Sequence, residues 1–274
     1  MKKQISLIIV LLFLGITNAF AQLPPPPDPG DDDPVVGDPP VGDHGGLIAE
    51  FFVTITIDFQ PILQLQMTTP TQVDFIFDNI QAYHSGIVKH SATILKVSSS
   101  VQWDLYAVAT SQDGEYWDSH ILYPGGGINA VGDLPLSLLE LHQHNNNIYA
   151  DGQDCNAATP CDYSLPFLPK EVVQPGRNSI YYHGNPYIAP GTNEKYIYGH
   201  TGTGPFQGVP GGSYITDGPN DYYFAIDYRI LPGLPPVFPA AGDNDGTPLE
   251  LVGGQYAAPG VYSANVKFIL MEDQ

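Results

Sequence analysis

The chain has 274 residues, with 9 Lys+Arg against 29 Asp+Glu, a formal net charge of −20. So acidic a surface repels phosphate, which excludes a nucleic-acid-binding role and argues against docking on anionic membranes. Gly and Pro are abundant, at 29 and 27 residues, which works against long helices and an α-helical fold.

The chain opens with Met1-Lys2-Lys3, a positive tip, and continues through an apolar run from Ile5 to Ile16. Ala19-Phe20-Ala21 then supplies small residues two apart. This layout predicts a cleaved export signal over 1–21, cut after Ala21. From Gln22 onward seven basic residues stand against 29 acidic ones, a net of −22. No later apolar run reaches the roughly 18 residues of a membrane helix, so no transmembrane helix is expected after cleavage. Residues 22–46 hold Pro24-Pro25-Pro26-Pro27, Asp31-Asp32-Asp33 and Pro39-Pro40. Proline favours an extended backbone and the acids repel one another, so this stretch reads as a solvated tether.

From Leu47 the pattern changes to period two. Val53, Ile55, Ile57 and Phe59 alternate with Thr54, Thr56 and Asp58, and Val73, Phe75 and Phe77 alternate with Asp74, Ile76 and Asp78. Leu95, Val97, Val101, Trp103 and Leu105 share one parity. Phe224, Ile226, Tyr228 and Ile230, and then Tyr262, Ala264, Val266, Phe268 and Leu270, repeat it. Alternation sets one face of a strand against a core and the other toward water. Such strands between Gly, Pro and Asn turns predict an all-β fold, an Ig-like antiparallel β-sandwich over 47–274. Leu134–His144, with Leu136, Leu138, Leu139 and Leu141, is the best helix candidate. The stretch around 111–220 reads as a loop-rich insertion carried on the sandwich.

The two cysteines, Cys155 and Cys161, are expected to form one local disulfide in an oxidising compartment. Tyrosines crowd the region from Tyr181 to Tyr228. Tyr181, Tyr182, Tyr187, Tyr196 and Tyr198 are candidate ligand-binding residues, because a flat ring with a polar tip suits sugar stacking and protein contacts. The same residues also favour simple packing between strands. Asp243-Asn244-Asp245-Gly246 resembles the opening of a calcium loop, with Asp243 and Asp245 as candidate ligands, although the full EF-hand spacing is absent and such residues also make ordinary turns. His142-Gln143-His144 places two imidazoles on one strand face, as some zinc sites do; beside Asn145-Asn146-Asn147 the pair reads as an exposed loop. Gly199-His200-Thr201-Gly202-Thr203-Gly204 lacks the Lys-Ser/Thr ending of a phosphate loop. No nucleophile elbow or zinc-protease motif is present and no carboxylate pair stands out, so no catalytic activity and no required cofactor are expected.

Two segments resemble the WxL-type domains of bacterial surface proteins: Leu95 to Leu105, with a literal Trp103-Asp104-Leu105, and Pro259-Gly260-Val261-Tyr262 followed by Phe268-Ile269-Leu270, where Phe-x-Leu replaces a second Trp-x-Leu. The last strand is also similar to that of fimbrial sandwiches. The resemblance implies an Ig-like sandwich displayed outside the cell. Together these readings predict a secreted or cell-surface structural or adhesive protein, a filament or pilus-like subunit among the possibilities. The expected partners are a surface polysaccharide or protein, with self-association through the C-terminal strand. The alternative is a carbohydrate-binding module that uses the tyrosine-rich loops.

Overall fold

Alternating side chains dictate most of the architecture. The computed structural model describes residues 51–148, 162–183, 195–199, 212–213, 223–233, 237–244, 246–249 and 256–272. The chain divides into two units, Met1–Thr56 and Ile57–Gln274. The export signal, the tether, Cys155, Cys161, Tyr187 and Asp245 lie outside the described residues.

The described elements of the second unit run in the order β1 (Leu63–Met67), α1 (Ile80–Ser85), β2 (Ile87–Ser99), β3 (Trp103–Thr110), β4 (Asp118–Leu122), β5 (Ala130–Val131), β6 (Leu139–Gln143), β7 (Tyr196–Tyr198), β8 (Gly212–Ser213), β9 (Tyr223–Ile230), β10 (Tyr256–Ala257), β11 (Gly260–Ser263) and β12 (Asn265–Glu272). One sheet has the order β1-β2-β9-β6, with β8 also paired to β2; a second has the order β12-β3-β7; β4 pairs with β11 and β5 with β10. Among the described strands every ladder is antiparallel except β5 with β10. The protein is an all-β, Ig-like antiparallel sandwich.

The core lies where the two sheets face each other. Leu95, Val97, Leu139, Leu141, Phe224, Ile226, Tyr228 and Ile230 from the first sheet meet Trp103, Leu105, Ala107, Ala109 and Ile197 from the second. Trp103 is fully buried, with its ring 6.2 Å from Phe224 in an edge-on contact. The apolar parity seen from Leu95 to Leu105 belongs to two strands: β2 ends at Ser99 and β3 begins at Trp103, so the chain crosses from one sheet to the other without losing its inward face. The two segments that carry the WxL resemblance are neighbours, since β12 pairs with β3 over eight residues from Asn265↔Thr110 to Glu272↔Trp103.

The helix expected over Leu134–His144 is instead a single 3-10 turn, Leu136–Leu138, followed by strand β6. Its leucines fit both periods. Pro135 supplies no amide to a helix, and from Leu139 onward the inward Leu139, Leu141 and Gln143 alternate with Glu140, His142 and His144. The expected loop insertion over 111–220 carries β4 to β8, and β6 in its midst pairs with the central β9.

The other departures lie at 51–59 and 73–77. Both alternate, yet neither forms a ladder with any described strand. Phe51, Val53, Ile55, Ile57 and Phe59, all of one parity, are 70–91% exposed. Just beyond them, Ile62 is pinned to the corner after β2: its amide donates to Ser100 Oγ at 2.8 Å, and the Ser100 amide donates to its carbonyl at 2.8 Å. At the end of α1, Gly86 sits at φ +72 with Ile230 O only 2.7 Å from where a Cβ would stand, so only glycine lets the chain turn there into β2 beside β9.

Candidate functional site

Two places on the sandwich are candidate sites. The first is an apolar cleft of about 520 Å³. Its lining includes Val73, Phe75, Phe77, Tyr83, Trp117, Leu134, Val261 and Tyr262. The inward residues of this side are only partly buried: Leu65 on β1, Val73, Phe75 and Phe77 after it, and Val266, Phe268 and Leu270 on β12 all pack against the core without being sealed by it. Among the described strands, β1 pairs only with β2 and β12 only with β3. The 73–77 backbone makes no hydrogen bond to another described segment. Among the described residues, then, the cleft is bordered by one extended segment, 73–77, that has no ladder partner.

The second place is the outer face of the first sheet, where β2, β9 and β6 lie side by side. Asp227 on β9 stands directly opposite His142 on β6, and both point away from the core. Alternation carries His144 to the same face. On the other flank the pairing of β2 with β9 slips between Lys89 and Thr93, a bulge that brings His90 and Ser91 over the same carboxylate. Ser91 takes the left-handed conformation at φ 47, and its amide donates to Asp227 Oδ1 at 2.7 Å. His144 Nε2 lies 2.9 Å from Oδ1, and His90 Nδ1 and His142 Nδ1 lie 3.2 and 3.3 Å from Oδ2. The Asp227 side chain is 5% exposed, against 18% for His142, 45% for His144 and 74% for His90. Burial alone pushes the Asp227 carboxyl up, but the Ser91 amide and the three imidazoles outweigh it and bring it down to about 2.

One register step along the same face, Glu140 faces Arg229. Arg229 grips it with Nε and Nη2 at 2.5 and 2.7 Å, donates to the Leu168 carbonyl at 2.6 Å and stacks 4.7 Å from the Phe167 ring. The edge of Phe167 also meets His142, with centroids 5.8 Å apart. Lys195, wholly buried, donates to the carbonyls of Gly176, Arg177 and Ser179. Burial lowers its amine to about 7, with Glu140 and Asp162 acting the other way. Residues 162–180 thus cover part of this face, supplying carbonyls and an aromatic ring around the buried Glu140–Arg229 ion pair.

The described candidate tyrosines serve mainly as packing. Tyr182 and Tyr196 are each 8% exposed, so neither ring offers a face to a sugar. Tyr181 packs beside Tyr106 and Val108 on the outer side of the second sheet, and Tyr198 lies against Trp103 and Phe224 at 6.1 and 5.0 Å. Asp243 sits in a turn that clamps Tyr182. Its carboxylate accepts from the Tyr182 hydroxyl at 3.0 Å, its amide donates to Thr247 O at 2.7 Å, and Asn244 exchanges two hydrogen bonds with the Tyr182 backbone. That is ordinary turn chemistry; Asp243 belongs to no cluster of metal-ligating side chains among the described residues, where His142, His144 and Asp227 form one. The pair His142 and His144 was legible as a spacing. Their partner Asp227 lies 83 residues downstream of His144, and nothing local in the sequence announces the bulge that completes the group.

Comparison with known protein-family models and with curated protein sequences finds no match to this chain.

Proposed function

We propose that the protein is an exported, non-catalytic structural subunit that assembles outside the cell into a surface fibre or adhesive layer. Assembly occurs when residues 51–59 of one copy lie down in the cleft of a second. The observation that carries the reading is the pairing of two incomplete halves. One is a segment whose five same-parity side chains Phe51, Val53, Ile55, Ile57 and Phe59 are all exposed. The other is the cleft beside 73–77, where Val73, Phe75 and Phe77 are only partly buried and pair with no described strand. Nine extended residues span about 30 Å, enough to run the length of an eight-residue strand such as β12. Main-chain bonds to a free edge give affinity, and alternate side chains entering the cleft give register. In this arrangement the C-terminal strand stays in its own sheet and serves self-association as an edge that receives. The leader-like start and the acidic, loop-rich chain support export, and the resemblance of β3 and β12 to bacterial surface sandwiches supports display there.

The test is size-exclusion chromatography with light scattering, and negative-stain electron microscopy, on the chain from Gln22. Concentration-dependent oligomers or fibres are expected, lost in Ile55→Asp/Ile57→Asp while the thermal transition persists. A wild-type chain that stays monomeric at every concentration, or a variant that assembles as well as the parent, overturns the reading. So does a monomer in which 51–59 is protected from protease independently of concentration, because the segment then folds onto its own chain.

A further inference from the structure

We propose that His142, His144 and Asp227, with His90 as a fourth ligand, form a site for a divalent transition-metal ion of the zinc type on the outer face of the first sheet. The inference is independent of assembly, since it rests on a different face and different residues.

The geometry carries it. One nitrogen of His142, one of His144 and a carboxylate oxygen of Asp227 lie within 4.8 Å of one another. Ligand atoms around a tetrahedral zinc stand about 3.3 Å apart, so modest side-chain rotation closes the set. His90 Nδ1 lies 3.2 Å from the same carboxylate on the opposite flank, outside the 4.8 Å group, and its exposed ring would swing in to supply a fourth corner. Three imidazoles and one carboxylate, with no sulfur, are a nitrogen–oxygen set that suits zinc, copper or nickel better than calcium.

Charge points the same way. Asp227 is a buried carboxylate whose described partners are the Ser91 amide and the three imidazoles. The nearest arginine on this face, Arg229, is engaged by Glu140. A buried anion calls for a counter-charge, and a bound cation supplies one. The surroundings also resemble the supporting shell of a metal centre. The Ser91 amide, held in a strained conformation, fixes the orientation of the carboxylate, and Phe167 packs against the His142 ring. The half-exposed His144 and the exposed His90 leave a path for entry.

Zinc chloride titrated calorimetrically into the chelator-treated chain from Gln22, together with the visible spectrum of the cobalt(II)-loaded protein, tests the site. One ion per chain, a rise in Tm on loading and the intense absorption of tetrahedral cobalt are expected. His142→Ala/His144→Ala should weaken binding by more than the roughly 10–100-fold that loss of a supporting group costs. His144→Ala alone, at a half-exposed position where folding is safe, should remove the tetrahedral cobalt spectrum. His120→Ala, whose ring bonds to Ser263 elsewhere, should change neither. Absence of saturable one-to-one binding by the parent, or binding of equal strength in both site variants, overturns the proposal.

Discussion

The outer face of the β2–β9–β6 sheet and the cleft between 73–77 and β11 are made from the same kind of alternating strand, yet one is closed and the other open. On the outer face, the buried ionic residues Arg229 and Lys195 are matched from within the chain, Arg229 to Glu140 and Lys195 to three carbonyls. In the cleft, apolar residues that would gain by burial are left half-sealed. Apolar burial is non-directional and can be completed by any well-shaped partner, whereas an unpaired buried charge cannot wait for one.

Breaking the closed face should cost most. Arg229→Ala leaves Glu140 alone in a site it cannot leave, and should destabilise the fold by about 3–5 kcal/mol in urea unfolding. A loss below about 1 kcal/mol would mean that water reaches Glu140 and the face is not sealed.

The second prediction concerns pH. Lys195 titrates near 7 in the folded protein, below the ordinary lysine value of 10.5. Between these values the unfolded chain holds the proton that the folded one gives up, so stability rises with pH. From pH 7 to pH 9 the gain should be about 2 kcal/mol, and Lys195→Met should abolish the rise. Above pH 10 the trend reverses. Burial raises Tyr228 to about 12, and burial with the nearby Asp243 raises Tyr182 further, so the unfolded chain ionises first. A stability curve flat from pH 7 to 9 would show that the Lys195 cavity opens to solvent.

The smallest effect sharpens the contrast most. Phe75→Ala, in the lining of the cleft, should cost the isolated subunit about 1–2 kcal/mol, less than a fully buried phenylalanine would, because its ring is only partly buried. It should cost more once a synthetic 51–59 peptide occupies the cleft, read as a smaller peptide-induced rise in Tm. Equal costs with and without peptide would place the segment elsewhere.

The sandwich was legible because its strands alternate strictly: the parity of Leu95, Val97, Trp103 and Leu105, and of Phe224 through Ile230, is the core itself. Residues 134–144 were misread because leucine recurs there at spacings that suit a helix as well as a strand, and only pairing with β9 decides between them. The alternation of Val53 through Phe59 announced a strand but could not announce that it pairs with none of the described strands, since pairing depends on residues far away in the chain. Tyrosine content was visible, but whether a ring faces a ligand or a neighbouring strand depends on contacts as distant as Tyr182 with Asp243. His142 and His144 were recognisable as a pair. The group around Asp227 was not, because it draws on three strands and on a slip in register that period two does not encode.

The pinning of Ile62 to Ser100 bears on mechanics. In a file of linked subunits, tension would enter each sandwich at Ile62 and run along β1, loading its five residue pairs with β2 together rather than unzipping them one by one. Sheared ladders resist pulling far better than peeled ones, so such a strand of subunits would be expected to stretch at its joints before any single subunit tears.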